Sequence, residues 1–356
     1  MSLNCIFTSS TQIFASFGRE NYRYSDMLDE IFLFFLGLLP NCFKKFSNFF
    51  FFIYEGNIEK SNQNIMKFTE DQIKSWAKPA SNAEDTRMNN SRDSVQSALQ
   101  EDTLLDDSEV KIIDKGSSRN NTNVKLQADV DLSLVQEGDF FYDLPAGYTK
   151  EYFGIIDGRR SFKSYKNSII NAIYNFFKNQ EIDNSKDKCT RIKENSNRAD
   201  IDVVPVWRYR LYQPDKSYHE GVAFYSDSNV LIINFPEQHT KNGNEKNNST
   251  GRKYKRIVRI LKRLKNKMED DGILVSDSIT SFLIESLVWN VEDNIFNESD
   301  SLSDILRNVL VNIYNNSLED WHEVSDILKL FHAERKWSIL DVKTFIKQVW
   351  KYGNFE

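Results

Sequence analysis

The chain has 356 residues, 40% of them apolar and 28% charged, enough to bury a sizeable core in two domains or one two-lobed body. Its formal net charge of -6 argues against a surface that is basic overall and wraps nucleic acid non-specifically. The three cysteines, Cys5, Cys42 and Cys189, are odd in number and far apart, which excludes a disulfide framework or a paired-cysteine zinc site and fits a reducing cytoplasm.

Residues 1–65 carry phenylalanine and asparagine patches without a sustained period of 2 or 3.6, and they read as an extension outside the core. The longest apolar run, 31–39, falls well short of the roughly 20 residues that a spanning helix needs. Acidic Asp26, Asp29 and Glu30 precede it and Pro40 follows, the wrong flanks for a secretory signal, so neither membrane insertion nor secretion is expected. From Met66 the text changes character, with Phe68, Ile73 and Trp76 followed by a polar helical stretch over 82–99. Residues 110–113, 128–135, 200–207 and 229–235 read as strands, and 161–178 as an amphipathic helix. The polar stretches 179–198 and 241–251 read as loops. Beyond Lys253 the pattern is helical, over 257–264, 279–289, 302–314, 325–331 and 342–352. The expected architecture is α+β: a mixed-sheet lobe over 66–250 followed by a helical lobe over 251–356.

The chemistry concentrates in residues 115–135, KGSSRNNTNVKLQADVDLSLV. Side chains alternate along a strand, so Asp129 and Asp131 share one face while Val130, Leu132 and Leu134 take the other. Two neighbouring carboxylates resist ionising together unless a cation lies between them, which is how aspartates make a divalent-metal site. Asp-x-Asp alone is more often a solvated strand face. Gly116-Ser117, just after a strand-like run, adds a tight turn whose N–H groups and hydroxyl suit phosphate oxygens. A third carboxylate lies in ADIDVVPVW, where Asp202, with Asp200 as the alternative, would complete a two-metal site for phosphoryl transfer. Residues 252–267, RKYKRIVRILKRLKNK, hold nine basic residues around an apolar stripe of Ile257, Ile260, Leu261 and Leu264. A solvated cationic face is the plain reading, and against a net-acidic background an anionic partner such as a triphosphate is the sharper one.

These residues resemble the bacterial cyclic-oligonucleotide synthases related to animal cyclic GMP-AMP synthase and oligoadenylate synthase. The resemblance covers about residues 66–290: KGSSRNNTNV and ADVDLSLV look like the family's Gly-Ser turn and Asp-x-Asp strand, IDVVPVW like its third-aspartate strand, and INFPEQHTKNGNEKNNST, KYKRIVRILKRLKN and SFLIESLVWN like its later blocks. It implies a polymerase-β-like nucleotidyltransferase lobe on a helical lobe, with the active site in the cleft between them. It further implies that Asp129, Asp131 and Asp202 bind Mg²⁺ or Mn²⁺, that Gly116, Ser117, Lys262 and Ser281 hold the donor triphosphate, and that Phe282 stacks on a base. The substrates would be nucleoside triphosphates, ATP with another, joined into a cyclic di- or trinucleotide. In anti-phage operons such a messenger activates an effector protein encoded elsewhere. The animal relative's zinc insertion has no counterpart, because no pair among Cys189, His219, His239, His322 and His332 stands at ligand spacing, so no DNA activator is implied. Rival expectations are an enzyme of the same fold that makes linear oligonucleotides or nucleotidylates a protein or RNA, and a catalytically silent nucleotide-binding protein.

Overall fold

Strand formation begins where the alternation is strongest. In a computed structural model that describes residues 66–79, 82–102, 110–124, 129–158, 160–178, 181–332 and 335–355, strand β2 (Val130–Asp143) carries the second aspartate of the pair near its start. The expected extension over 1–65 and the first expected strand residue, Ala128, lie outside the described residues. β2 pairs antiparallel with β1 (Val110–Lys115) and parallel with β5 (Ile201–Tyr212), in a register that sets Lys115 and Asp202 on either side of Asp131. Short β4 (Thr190–Ile192) and β3 (Ile182–Asp183) extend the sheet beyond the first residues of β5. β6 (Tyr218–Tyr225) and β7 (Leu231–Asn234) extend it beyond the later ones. The sheet is therefore mixed, as expected, with β3, β4 and β6 additions to the strands read from sequence, β3 and β4 lying within 179–198, expected as a loop.

Pro205 would be out of place in the middle of a doubly paired strand. Here β4 pairs with β5 only as far as Val203 and β6 only from Trp207 onward, so Pro205 stands in the gap between the two partners.

Helices α1 (Glu70–Trp76) and α2 (Asn82–Glu101) precede the sheet, and the single turn α3 (Gly116–Arg119) follows β1 directly. Amphipathic α4 (Phe162–Phe176) starts on the Ser161 cap and buries Ile169, Ala172 and Ile173. With α2 it covers the sheet, in a core that includes Val95, Leu99, Leu132 and Leu134.

Later helices are α5 (Pro236–Ser249), α6 (Tyr254–Asp270), α7 (Ser281–Trp289), α8 (Asp293–Asn297), α9 (Leu302–Asn315) and α10 (Ile339–Gly353). Of these, α6 to α10 enclose a second core of Ile257, Leu261, Leu287, Leu306, Phe345 and others. Phe68, Ile73 and Ala77 belong to this helical core, so the chain starts on the helical lobe and then builds the sheet. No helix among the described residues is long and apolar enough to cross a membrane.

Two further stretches differ from expectation. Residues 241–251, expected as a loop, lie mostly in α5, which has no apolar stripe to announce it. Pro236 at its first turn, the Asn242 amide on Val324 O and the Lys246 ammonium on Val291 O hold it instead. Residues 325–331, expected as a helix, form an irregular loop pinned by a bridge between His322 and Lys329. Asp326 takes a positive φ of 60° there, which a continuous helix does not allow.

Candidate active site

Gly116, Ser117, Asp129, Asp131, Lys262, Ser281 and Phe282 all line one cavity of about 400 Å³. Asp202 is not among the lining residues and sits one strand over, level with Asp131. The turn after β1 brings the first of these groups together. Gly116 has φ +68°, and a Cβ built on it would lie 2.1 Å from Asp131 Oδ2, so both the backbone conformation and the close approach require glycine. The Thr122 N–H donates to Ser117 O at 2.9 Å and closes the turn.

Around the aspartates the dominant cation is Arg191, from β4. Its Nη2 donates to Asp129 Oδ2 at 2.6 Å, its Nε to Asp202 Oδ1 at 2.7 Å, and its Nη1 reaches Asp200 Oδ2 at 3.4 Å. Lys186 adds a contact of 3.3 Å to Asp202. Burial pushes the Asp129 carboxyl above the usual aspartate range against the pull of Arg191. Burial does the same to Asp131 against Lys115, with Asp202 and Asp129 adding to the rise. At Asp202 burial is outweighed by the hydrogen bond and charge of Arg191, and its carboxyl lies below the usual range. Asp200 is held on its other oxygen as well: Oδ1 accepts the Glu194 N–H at 2.6 Å.

Among the described residues, no three His, Cys, Asp or Glu side chains enclose a metal position by themselves in this arrangement. The guanidinium of Arg191 takes the place of positive charge between Asp129 and Asp202. An all-oxygen, anionic donor set already gathered around a cation fits a hard divalent ion such as Mg²⁺ or Mn²⁺.

A buried polar cluster forms the cavity floor. The Lys262 ammonium, 3% exposed, donates to Thr122 O at 3.2 Å and pairs with Glu285 Oε2 at 3.5 Å. Glu285 also accepts from Thr122 Oγ1 at 2.9 Å and meets His239 Nε2 at 3.0 Å. Burial would raise the Glu285 carboxyl, but Lys262 and His239 outweigh it and bring it down to about 2. Burial pulls the Lys262 ammonium below the usual lysine range, with Glu285 opposing. Ser281 opens α7 just after the capping Thr280, and Phe282 packs 5.7 Å from the His239 ring.

Sequence reasoning missed Arg191, Glu285, His239 and Thr122. Only Glu285 left a signal: a lone carboxylate among Leu283, Ile284, Leu287 and Val288 must be buried and paired.

Residues 241–354 match the family model of the cGAS/DncV-like nucleotidyltransferase C-terminal helical domain. A cyclic dipyrimidine nucleotide synthase CdnE of Cecembia lonarensis is 42% identical over 296 residues, 82% of this chain and 100% of the relative. A cyclic dipurine nucleotide synthase of Elizabethkingia meningoseptica is 36% identical over 301 residues, 82% of this chain and 100% of the relative. The solved structure of the Elizabethkingia meningoseptica CdnE cyclic dinucleotide synthase with GTP and Apcpp superposes with a TM-score of 0.68 at 34% identity, covering 80% of this chain and 99% of that one. The Rhodothermus marinus CdnE c-UMP-AMP synthase has the same fold, with a TM-score of 0.70 at 22% identity over 80% of this chain and 97% of that one.

Proposed function

The chain belongs to the cGAS/DncV-like nucleotidyltransferases as a CdnE-like member, and from that premise we propose that it condenses nucleoside triphosphates into a cyclic di- or trinucleotide second messenger. The observation that carries this reading is the meeting, in one cavity, of the Gly116-Ser117 turn, the Asp129/Asp131 pair and Lys262, with Asp202 beside Asp131.

In this reading the Gly116-Ser117 turn, Lys262 and Ser281 hold the triphosphate of the donor nucleotide, and Phe282 supports its base. Lys262 is held in a buried place by Glu285 and Thr122, which makes it a fixed group rather than a mobile surface lysine. Asp129, Asp131 and Asp202 would hold Mg²⁺ or Mn²⁺, which when bound supplies charge neutralisation at the triphosphate and a lowered pKa for the attacking hydroxyl. The ribose hydroxyl of one nucleotide attacks the α-phosphorus of the other in line, and the bond to pyrophosphate breaks. A second attack of the same kind closes the ring. Positioning and electrostatics do most of the work, so no further general base is needed. A role in anti-phage defence, with a separate effector protein sensing the product, extends the proposal.

The test is incubation with labelled ATP, GTP, CTP and UTP with and without Mg²⁺ or Mn²⁺, beside an Asp129→Ala/Asp131→Ala variant, followed by phosphatase treatment and mass spectrometry. A phosphatase-resistant oligonucleotide made only by the parent, and only with divalent metal, is the expected result. A product with terminal phosphates would turn the reading to a linear oligonucleotide synthase.

A further inference from the structure

The hydroxyl of Ser325 is buried at the wall of the same cavity and has no hydrogen-bond partner among the described residues. Ser325 is 5% exposed, and a hydroxyl shut off from water without a partner costs free energy that a native structure seldom tolerates without reason. Its surroundings supply the reason. Two residues earlier, Glu323 is 2% exposed and lines the cavity, its carboxylate paired with Arg335. The Arg335 guanidinium lies 5.6 Å from the centre of the Phe282 ring and 5.4 Å from that of Trp337, and Phe282 stands between His239 and Trp337 at 5.7 and 6.1 Å.

The loop that carries Ser325 is fixed. Glu323 N donates to Leu328 O at 2.9 Å, Asp326 N to Glu323 O at 2.8 Å, and the Asn242 amide of α5 to Val324 O at 2.9 Å. The backbone that carries the hydroxyl is thus held in place at the cavity wall.

This end of the cavity is marked by the Phe282 ring, whereas Asp129, Asp131 and Glu285 gather with Gly116, Ser117 and Lys262 at the other. The paired Glu323 and Arg335 beside the rings of Phe282 and Trp337 suit a flat heterocycle whose rim carries N–H donors and lone-pair acceptors. Resting on the nucleotidyltransferase reading above, we propose that Ser325 hydrogen-bonds the edge of a nucleobase stacked at Phe282 and, with Glu323 beside it, selects which base the enzyme incorporates. The two relatives above, one named for dipyrimidine and one for dipurine products, match this chain over the same share of its length, so the fold alone does not set the base.

The full-length chain and its Ser325→Ala variant are compared in two measurements. One is the ratio of bases incorporated from an equimolar mixture of ATP, GTP, CTP and UTP, read by mass spectrometry. The other is the thermal midpoint without nucleotide and with each non-hydrolysable triphosphate analogue. Losing one base-edge hydrogen bond is expected to change the preference for one base over the others by about tenfold. The midpoint without nucleotide should not fall, because the substitution removes an unsatisfied group and no contact. An unchanged base ratio in an active variant overturns the inference and leaves the nucleotidyltransferase reading intact. A lowered midpoint with equal loss for all four bases also overturns it, by showing a structural role. A parent chain that binds and turns over no triphosphate overturns both.

Discussion

A methyl group on Gly116 has nowhere to go: it would fall on the Asp131 carboxylate, and the backbone there has a φ that L side chains avoid. Gly116→Ala is therefore expected to displace Asp131 and lower turnover by about 100-fold, the scale of a misplacement near 1 Å, with little change in the circular dichroism of the folded chain. Arg191 invites a different test. In the metal-free protein its guanidinium joins Asp129, Asp200 and Asp202, and removing it leaves like charges facing one another. Arg191→Met should lower the thermal midpoint in chelator, at a cost of about 1–2 kcal/mol given the half-exposed Asp129, and widen the upward shift caused by Mg²⁺ or Mn²⁺. A chelator midpoint equal to the parent's would show that the guanidinium is not what holds these carboxylates together. Asp129 and Asp131 are legible from sequence because alternation is local to the strand. Arg191 is not, because its strand has three residues and its partners come from two others.

Helix ends show how one element completes another. The Glu70 carboxylate of α1 accepts the Leu302 and Ser303 N–H groups at the start of α9, both at 2.9 Å, and the Ser303 hydroxyl. Burial disfavours the charged form, but these donors outweigh it and set the carboxyl below the usual glutamate range. A negative charge at a helix N-terminus is worth about 0.3–1 kcal/mol, so Glu70→Gln should lower the thermal midpoint by a few degrees at neutral pH. The difference from the parent should vanish as pH falls through the Glu70 pKa, because protonation removes the same charge. A gap that persists in acid would mean that charge is not the source. The contrast between α6 and α5 belongs at this scale as well. Ile257, Ile260, Leu261 and Leu264 announce α6 by their spacing, and all four are fully buried. Polar α5 is held by caps and side-chain bonds to distant carbonyls, which leave no period to read.

At the scale of the molecule, Glu285 on α7 joins the loop after the Gly116-Ser117 turn, through Thr122, to Lys262 of α6 and His239 of α5. Its folded pKa of about 2 lies below the ordinary value of 4.5, so its stabilisation is present in full above that value and is lost as pH falls toward 2. Glu285→Gln cannot titrate and leaves Lys262 buried without its counter-charge, at a cost of about 3–5 kcal/mol at neutral pH. Chemical unfolding at a series of pH values should show the parent losing stability between 4.5 and 2 more steeply than the variant, and parallel curves would rule the cluster out as the acid-sensitive element. The α+β plan, the Gly-Ser turn, the aspartate pairs and the amphipathic helices were determined by the sequence itself, since each rests on neighbours within a few residues. The tertiary structure decided which charges are neutralised and which polar atoms are left waiting. Arg191 meets Asp129 across 62 positions and Thr122 meets Glu285 across 163, and packing buries the Ser325 hydroxyl without a partner among the described residues. Burial and pairing arise between segments that local periodicity does not connect, so only the folded chain brings them together.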